Sequence, residues 1–156
     1  MKTNAFYCTP TILNRLLCFL LLVLTAGLPE KLNAQNADEA VIRKILEDQT
    51  AAWNNDSIDH FMKDYWHNDS LLFVGKSGVK YGYKTTLDNY KKSYPDTTAR
   101  GKLYFNLLQV KKLSKEYYHV TGKWQLTRAI GNLEGYFTLL FKKIKRNWVI
   151  IYDHSS

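Results

Sequence analysis

The spacing of apolar residues changes period along the chain, and each change marks an element. Between residues 37 and 54, Val41, Ile42, Ile45, Leu46, Gln49, Ala52 and Trp53 recur at helical spacing, with Arg43, Lys44, Glu47 and Asp48 on the other side. The spacing predicts an amphipathic helix opened by a capping box, with Asn36 as N-cap and Glu39 three residues on. Asn54 and Asn55 end it. Asp56 and Asp59 then cap a second helix whose stripe is Ile58, Phe61, Met62 and Tyr65. Residues 70–75 read as a short apolar strand, Lys76 to Gly78 as a turn, and Val79 to Tyr81 as the returning strand. A third helix starts at Thr85 or Thr86, carries Leu87, Tyr90 and Tyr94, and is stopped by Pro95; Asp96 to Thr98 is expected to be loop.

From Gly101 onward the period is two. Leu103, Phe105 and Leu107 alternate, and then Leu108 and Val110 take over the apolar register, which predicts a β-bulge near Asn106 and Leu107. Tyr118, Val120, Gly122, Trp124 and Leu126 form one face of the next strand. After the turn at Gly131 and Asn132 comes a long closing hairpin, residues 135–156, with its basic turn at Lys142 to Arg146. Helices followed by long antiparallel strands imply an α+β fold, with helices covering one face of a bent sheet. Covering a curved sheet leaves a cone with an open end, a natural pocket.

Ahead of all this, Lys2 and Arg15 precede an apolar run from Leu16 to Leu24, followed by small residues. This is the pattern of a secretory signal peptide over residues 1–34, cleaved after Ala34 or alternatively after Ala26; the run is short for a membrane span. The single domain then covers residues 35–156 and is expected to be secreted or periplasmic. Both cysteines, Cys8 and Cys18, lie in the leader, so the domain has no thiol for a disulfide or for catalysis. Removing residues 1–34 takes away Lys2, Arg15, Lys31 and Glu30, which lowers the net charge from +8 to +6. An exported domain of this charge is not expected to meet nucleic acid, nor to hold a membrane once the leader is gone.

With the elements placed, the chain resembles the nuclear transport factor 2-like superfamily, and within it the SnoaL-like group called domain of unknown function 4440. The residues behind the resemblance are Ala52, Trp53, Asn54 and Asp56, then Phe61 to Trp66 and Leu72 to Gly75. They continue through Tyr90 to Pro95, Gly122 to Trp124, Gly135 to Leu139, Trp148 to Ile150, and Asp153 to Ser156. The resemblance implies a cone-shaped barrel of three N-terminal helices on a strongly bent, mainly antiparallel sheet, commonly dimeric through that sheet. Relatives use the cone for isomerisation, cyclisation or dehydration, for ligand binding, or for assembly alone.

Asp153 and His154 are the candidate proton-transfer groups. Neighbouring strand residues point to opposite faces, so only one can enter the cone. In a regular strand His154 shares its side with Trp148, Ile150 and Tyr152, and Asp153 with Val149 and Ile151. Either could instead serve as a clasp at the end of the sheet. Gln49, Trp53, Tyr65, Tyr90, Tyr94 and Trp124 are the candidate ligand-binding residues, with ordinary core packing as the alternative. His60, His67 and His119 lack metal-ligand spacing, and no metal or cofactor is expected. The basic turn at Lys142 to Arg146 reads as a solvated hairpin end, with attraction of an anionic surface as the alternative. The expected function is binding of a small apolar or aromatic molecule in the cone. The alternatives are an isomerase-, cyclase- or dehydratase-like enzyme and a structural dimerisation module.

Overall fold

The computed structural model describes residues 29–156, with side chains described from Ala37 onward; the leader's apolar run and both cysteines lie outside the described residues. Helix α1 runs Pro29–Asn54, longer at its start than the 37–54 expected. Proline at the first helical position suits a helix start, because its missing N–H would have no intrahelical partner there. Asn36 is therefore inside the helix rather than its cap, and Glu39 pairs with Arg43 at 2.8 Å instead of closing a capping box. Residues Asp38–Ser156 form one compact unit.

Helix α2, Ile58–Phe61, is a single turn. Its N-cap is Ser57, whose hydroxyl accepts from the His60 N–H, not Asp56, which sits at φ 61° in the turn between the helices. The stripe Ile58, Phe61, Met62 and Tyr65 is buried as predicted, yet the helix does not reach Tyr65. The backbone there bridges to the final strand: Ile150 N–H donates to the Asp64 carbonyl and Trp66 N–H to the Ile150 carbonyl, both at 2.9 Å. Helix α3, Tyr83–Ser93, follows the hairpin of β1, Leu72–Gly75, and β2, Gly78–Tyr81. Its start lies earlier than Thr85, at Gly82, which holds φ 91°. The stretch after Pro95, expected to be loop, contains a one-turn helix, α4, Thr97–Arg100, capped by the Asp96 carboxylate on the Ala99 N–H.

The long strands are β3, Lys102–Lys112; β4, Tyr117–Thr127; β5, Leu133–Ile144; and β6, Asn147–Ser155. They form an antiparallel meander, and β1 adds to the far side of β6 in parallel, giving one mixed six-stranded sheet in the order β2-β1-β6-β5-β4-β3. The expected bulge in β3 lies between Leu107 and Gln109. A second, unpredicted register shift lies where Leu140 pairs Tyr152 and Phe141 pairs Ile150, which leaves Ile151 as the extra residue of β6.

One face of the curled sheet carries Leu103, Tyr118, Val120, Leu126, Phe137, Leu139, Phe141, Trp148 and Ile150, all buried against Ile42, Leu46, Trp53, Ile58, Phe61 and Met62 from the helices. Gly122 lies on this face because a side chain there would meet the Phe137 ring at 2.4 Å. At one end of the sheet Asp38 ties α1 to the closing hairpin, accepting from Lys143 Nζ at 2.7 Å and Trp148 Nε1 at 3.0 Å. Away from that tie the helices and the sheet diverge, and the space between them is the cavity.

Candidate functional site

A cavity of about 720 Å³ lies between the helical layer and the inner face of the sheet. That is within the range of small-molecule sites, roughly 300–1,000 Å³. Its wall is aromatic: Trp53, Phe61, Tyr65, Phe73, Tyr90, Tyr94, Phe105, Trp124 and Phe137 all line it. Tyr90, from α3, joins the wall together, edge-on to Phe61 at 5.3 Å and Phe73 at 5.6 Å and stacked on Tyr94 at 6.2 Å. The exposed members of the lining, among them Lys76, Ser77, Glu134 and Ser156, mark where it opens to solvent.

Asp153 projects into this apolar space and is 2% exposed. Two hydroxyls hold it: Tyr65 donates to Oδ2 at 2.7 Å and Ser155 to Oδ1 at 2.9 Å. Burial disfavours the ionised carboxyl more than these donors and the neighbouring His154 favour it, and its pKa is pushed up to about 6. Tyr65 is pushed well above the usual phenol value by burial and by the Asp153 charge, and so is Tyr90. Both remain protonated donors at neutral pH. The elements that converge here are distant in sequence. Tyr65 is delivered by the chain leaving α2 to bridge β6, and Asp153 and Ser155 by the end of β6 itself.

His154 points the other way. It is exposed on the outer face, opposite Thr138 of β5 and Val74 of β1, and does not line the cavity. Its expected parity with Trp148 and Ile150 fails because the extra residue Ile151 inverts the alternation, which puts Asp153 on the buried side with those two. The other candidates, Gln49, Trp53, Tyr65, Tyr90, Tyr94 and Trp124, all line the cavity. Some of them also serve the frame. Gln49 Nε2 donates to the Phe61 carbonyl at 3.1 Å, and Trp53 Nε1 to that of Arg100 at 3.4 Å. Trp124 Nε1 is buried with no hydrogen-bond partner. Ser155, Phe73 and Phe105 are lining residues that sequence reasoning did not single out. For Ser155 the available signal was its two-residue spacing from Asp153. Among the described residues no group of three or more His, Cys, Asp or Glu is placed to hold a metal.

The arrangement is an α+β cone that buries one carboxyl group, with a phenol in contact, at an aromatic-walled pocket. The chain belongs to the nuclear transport factor 2-like family. A solved protein of that family from Shewanella oneidensis, of unknown function, is 39% identical to it, with 78% of this chain and 98% of that one covered and a TM-score of 0.72. More distant structures share the fold. A hexachlorocyclohexane dehydrochlorinase has 15% identity, 79% and 86% coverage and a TM-score of 0.66. A ketosteroid isomerase-like protein from Erwinia carotovora has 16% identity, 78% and 96% coverage and a TM-score of 0.61. No family profile and no curated protein matches the sequence, so the narrower grouping, domain of unknown function 4440, has no profile match behind it.

Proposed function

We propose that the cone binds a small, largely apolar molecule bearing a carbonyl group and that Asp153 moves a proton on it. The observation that carries this reading is a single buried carboxyl group, held by Tyr65 at 2.7 Å, on the wall of an aromatic cavity large enough for such a molecule. As a carboxylate, Asp153 takes a proton from the carbon beside the carbonyl, leaving an enolate. Returning that proton to a different carbon is an isomerisation. A group with a pKa near 6 is ionised at neutral pH and still basic enough to accept the proton. Tyr65 donates its one hydroxyl proton to Asp153, so it cannot simultaneously polarise the substrate carbonyl. That role falls to a second donor, for which the unpartnered N–H of Trp124 is placed in the wall.

The test is solvent-deuterium exchange into a panel of cyclic ketones, followed by NMR. Asp153→Asn should slow exchange by about 10²-fold or more. If ligands bind the parent and the variant equally and neither exchanges deuterium, the protein is a binder without turnover. We further propose that residues 1–34 are an export leader and that the domain works outside the cytoplasm, as a homodimer through its sheet. Sequencing the N-terminus of the exported protein checks the leader, and a start far from Gln35 or Gly27 would overturn it.

A further inference from the structure

The end of the sheet away from the cavity mouth collects positive charge from turns that are far apart in the sequence. The register pairs Lys111 with His119 and Tyr117 with Lys142, so the β3–β4 turn and the β5–β6 turn lie at the same end. A backbone hydrogen bond joins them directly, from the Lys143 N–H to the Glu116 carbonyl at 2.8 Å. Lys111, Lys115, Lys145 and Arg146 are exposed there, and Lys142 lies 5.6 Å from the Tyr117 ring. Among the described residues none of these five cations has an ion-pair partner, and Asp38 at this end is paired with Lys143. Glu116 is the one carboxylate in the two turns. Among the lysines, at the base of the β3–β4 turn where its N–H donates to the Tyr117 carbonyl at 2.9 Å, Leu113 is 53% exposed.

The chain also enters the domain at this end, since Asp38 is bonded to Lys143 and Trp148.

We propose that this basic end is a docking surface for an anionic phospholipid bilayer. The five cations supply the attraction to lipid headgroups, and Leu113 enters the headgroup layer. An exposed leucine beside these cations suits a lipid surface better than a soluble polyanion, which has no use for the leucine. The cavity mouth, at the other end of the strands, then faces away from the membrane and stays open to solute. Turn by turn, each basic segment reads as a solvated hairpin end; the strand register is what makes them one surface.

Co-sedimentation of the exported protein, residues 35–156, with vesicles tests this, using phosphatidylcholine alone and phosphatidylcholine with 30% phosphatidylglycerol by design of the experiment, about 0.1 M salt being low enough to leave the attraction unscreened. The protein should partition onto the phosphatidylglycerol vesicles and be released at about 1 M salt. Lys111→Gln/Lys115→Gln/Lys145→Gln should weaken partition by on the order of 100-fold, from about 1 kcal/mol per cation. The control Lys84→Gln/Lys92→Gln, on α3, should leave it unchanged. Leu113→Ser should weaken vesicle binding and leave retention on a heparin column unaltered. Equal binding to both kinds of vesicle, or equal loss in the control, would overturn the proposal. A Leu113→Ser variant that binds vesicles as well as the parent would assign the surface to a soluble polyanion instead.

Discussion

Asp153 makes the pH dependence of stability a direct test of the site. Its carboxyl has a pKa near 6 in the folded protein, against about 3.9 in an unfolded chain. The folded state therefore holds a proton between pH 4 and 6 that the unfolded state has released. The contribution of this group is fully favourable below about pH 4 and is lost as the pH rises through 6. Two units correspond to about 3 kcal/mol as an upper figure. Asp38 acts with the opposite sign: burial raises its pKa, but the Lys143 and Trp148 hydrogen bonds outweigh that and lower it. Asp64 shares the sign of Asp153, since burial raises it. Comparing parent with Asp153→Asn cancels both. In urea unfolding the variant should be more stable than the parent at pH 7 by about 1–3 kcal/mol, with the difference closing by pH 4. If Asp153→Asn instead destabilises the fold at pH 7, the carboxylate is a clasp for the sheet end, and the proton-transfer reading loses its residue. Tyr65→Phe should move the carboxyl further up, because it removes the donor that favours the charged form. A carbon-detected NMR titration of the Asp153 carboxyl reads that shift.

At the scale of elements, the antiparallel pairing of β4 with β5 leaves no room for a side chain at Gly122. Gly122 gives the Phe137 ring its place, and a Cβ at that position would lie 2.4 Å from the ring and 3.0 Å from the Asn106 carbonyl. Gly122→Ala should cost about 1–3 kcal/mol through overpacking. Phe137→Leu should cost about 1–2 kcal/mol alone and relieve part of the first loss when the two are combined. Additive losses in that cycle would mean the backbone moves instead of the ring. The face that carries this contact was readable beforehand, because Tyr118 to Leu126 alternate cleanly and all five inner positions fall on one side. The site was readable only in part. Residues Trp148 to Tyr152 are apolar without interruption, so nothing in their pattern reveals that Ile151 is an extra residue and that Asp153, not His154, turns inward. Tyr65 keeps helical spacing with Ile58 and Phe61, yet its backbone is claimed by β6, a pairing across 85 residues that local periodicity does not carry. Asn36 and Glu39 have good capping chemistry, yet the helix begins at Pro29, a start the apolar pattern gave no sign of.

Among the described residues of Asp38–Ser156, the outer face of the sheet carries large exposed side chains. Near the cavity end it carries Tyr104 at 56% and Tyr136 at 57% exposure, with Leu108 of the β3 bulge beside the same strands. Between the tyrosines Lys123 pairs with Glu134 at 3.0 Å, and Gln125 donates to the same carboxylate at 3.1 Å. A patch with aromatic anchors and both signs of charge is complementary to itself, which is what a two-fold interface requires. The expected dimer would therefore use this half of the sheet, where Lys123 of each copy can approach Glu134 of the other, and leave the basic end free. A stable pair needs about 800 Å² buried per copy. Sedimentation velocity at about 10 µM should show a dimer if the interface reaches the micromolar affinity common for such patches. Tyr104→Glu/Tyr136→Glu should convert it to monomer, with an affinity loss of on the order of 10²–10³-fold from losing two aromatic anchors. Far-UV circular dichroism should not change, because both side chains point out of the fold. A parent that sediments as a monomer at that concentration would remove the dimer. It would also leave the exposed tyrosines needing another occupant, most directly a second use of the face in binding whatever the protein meets.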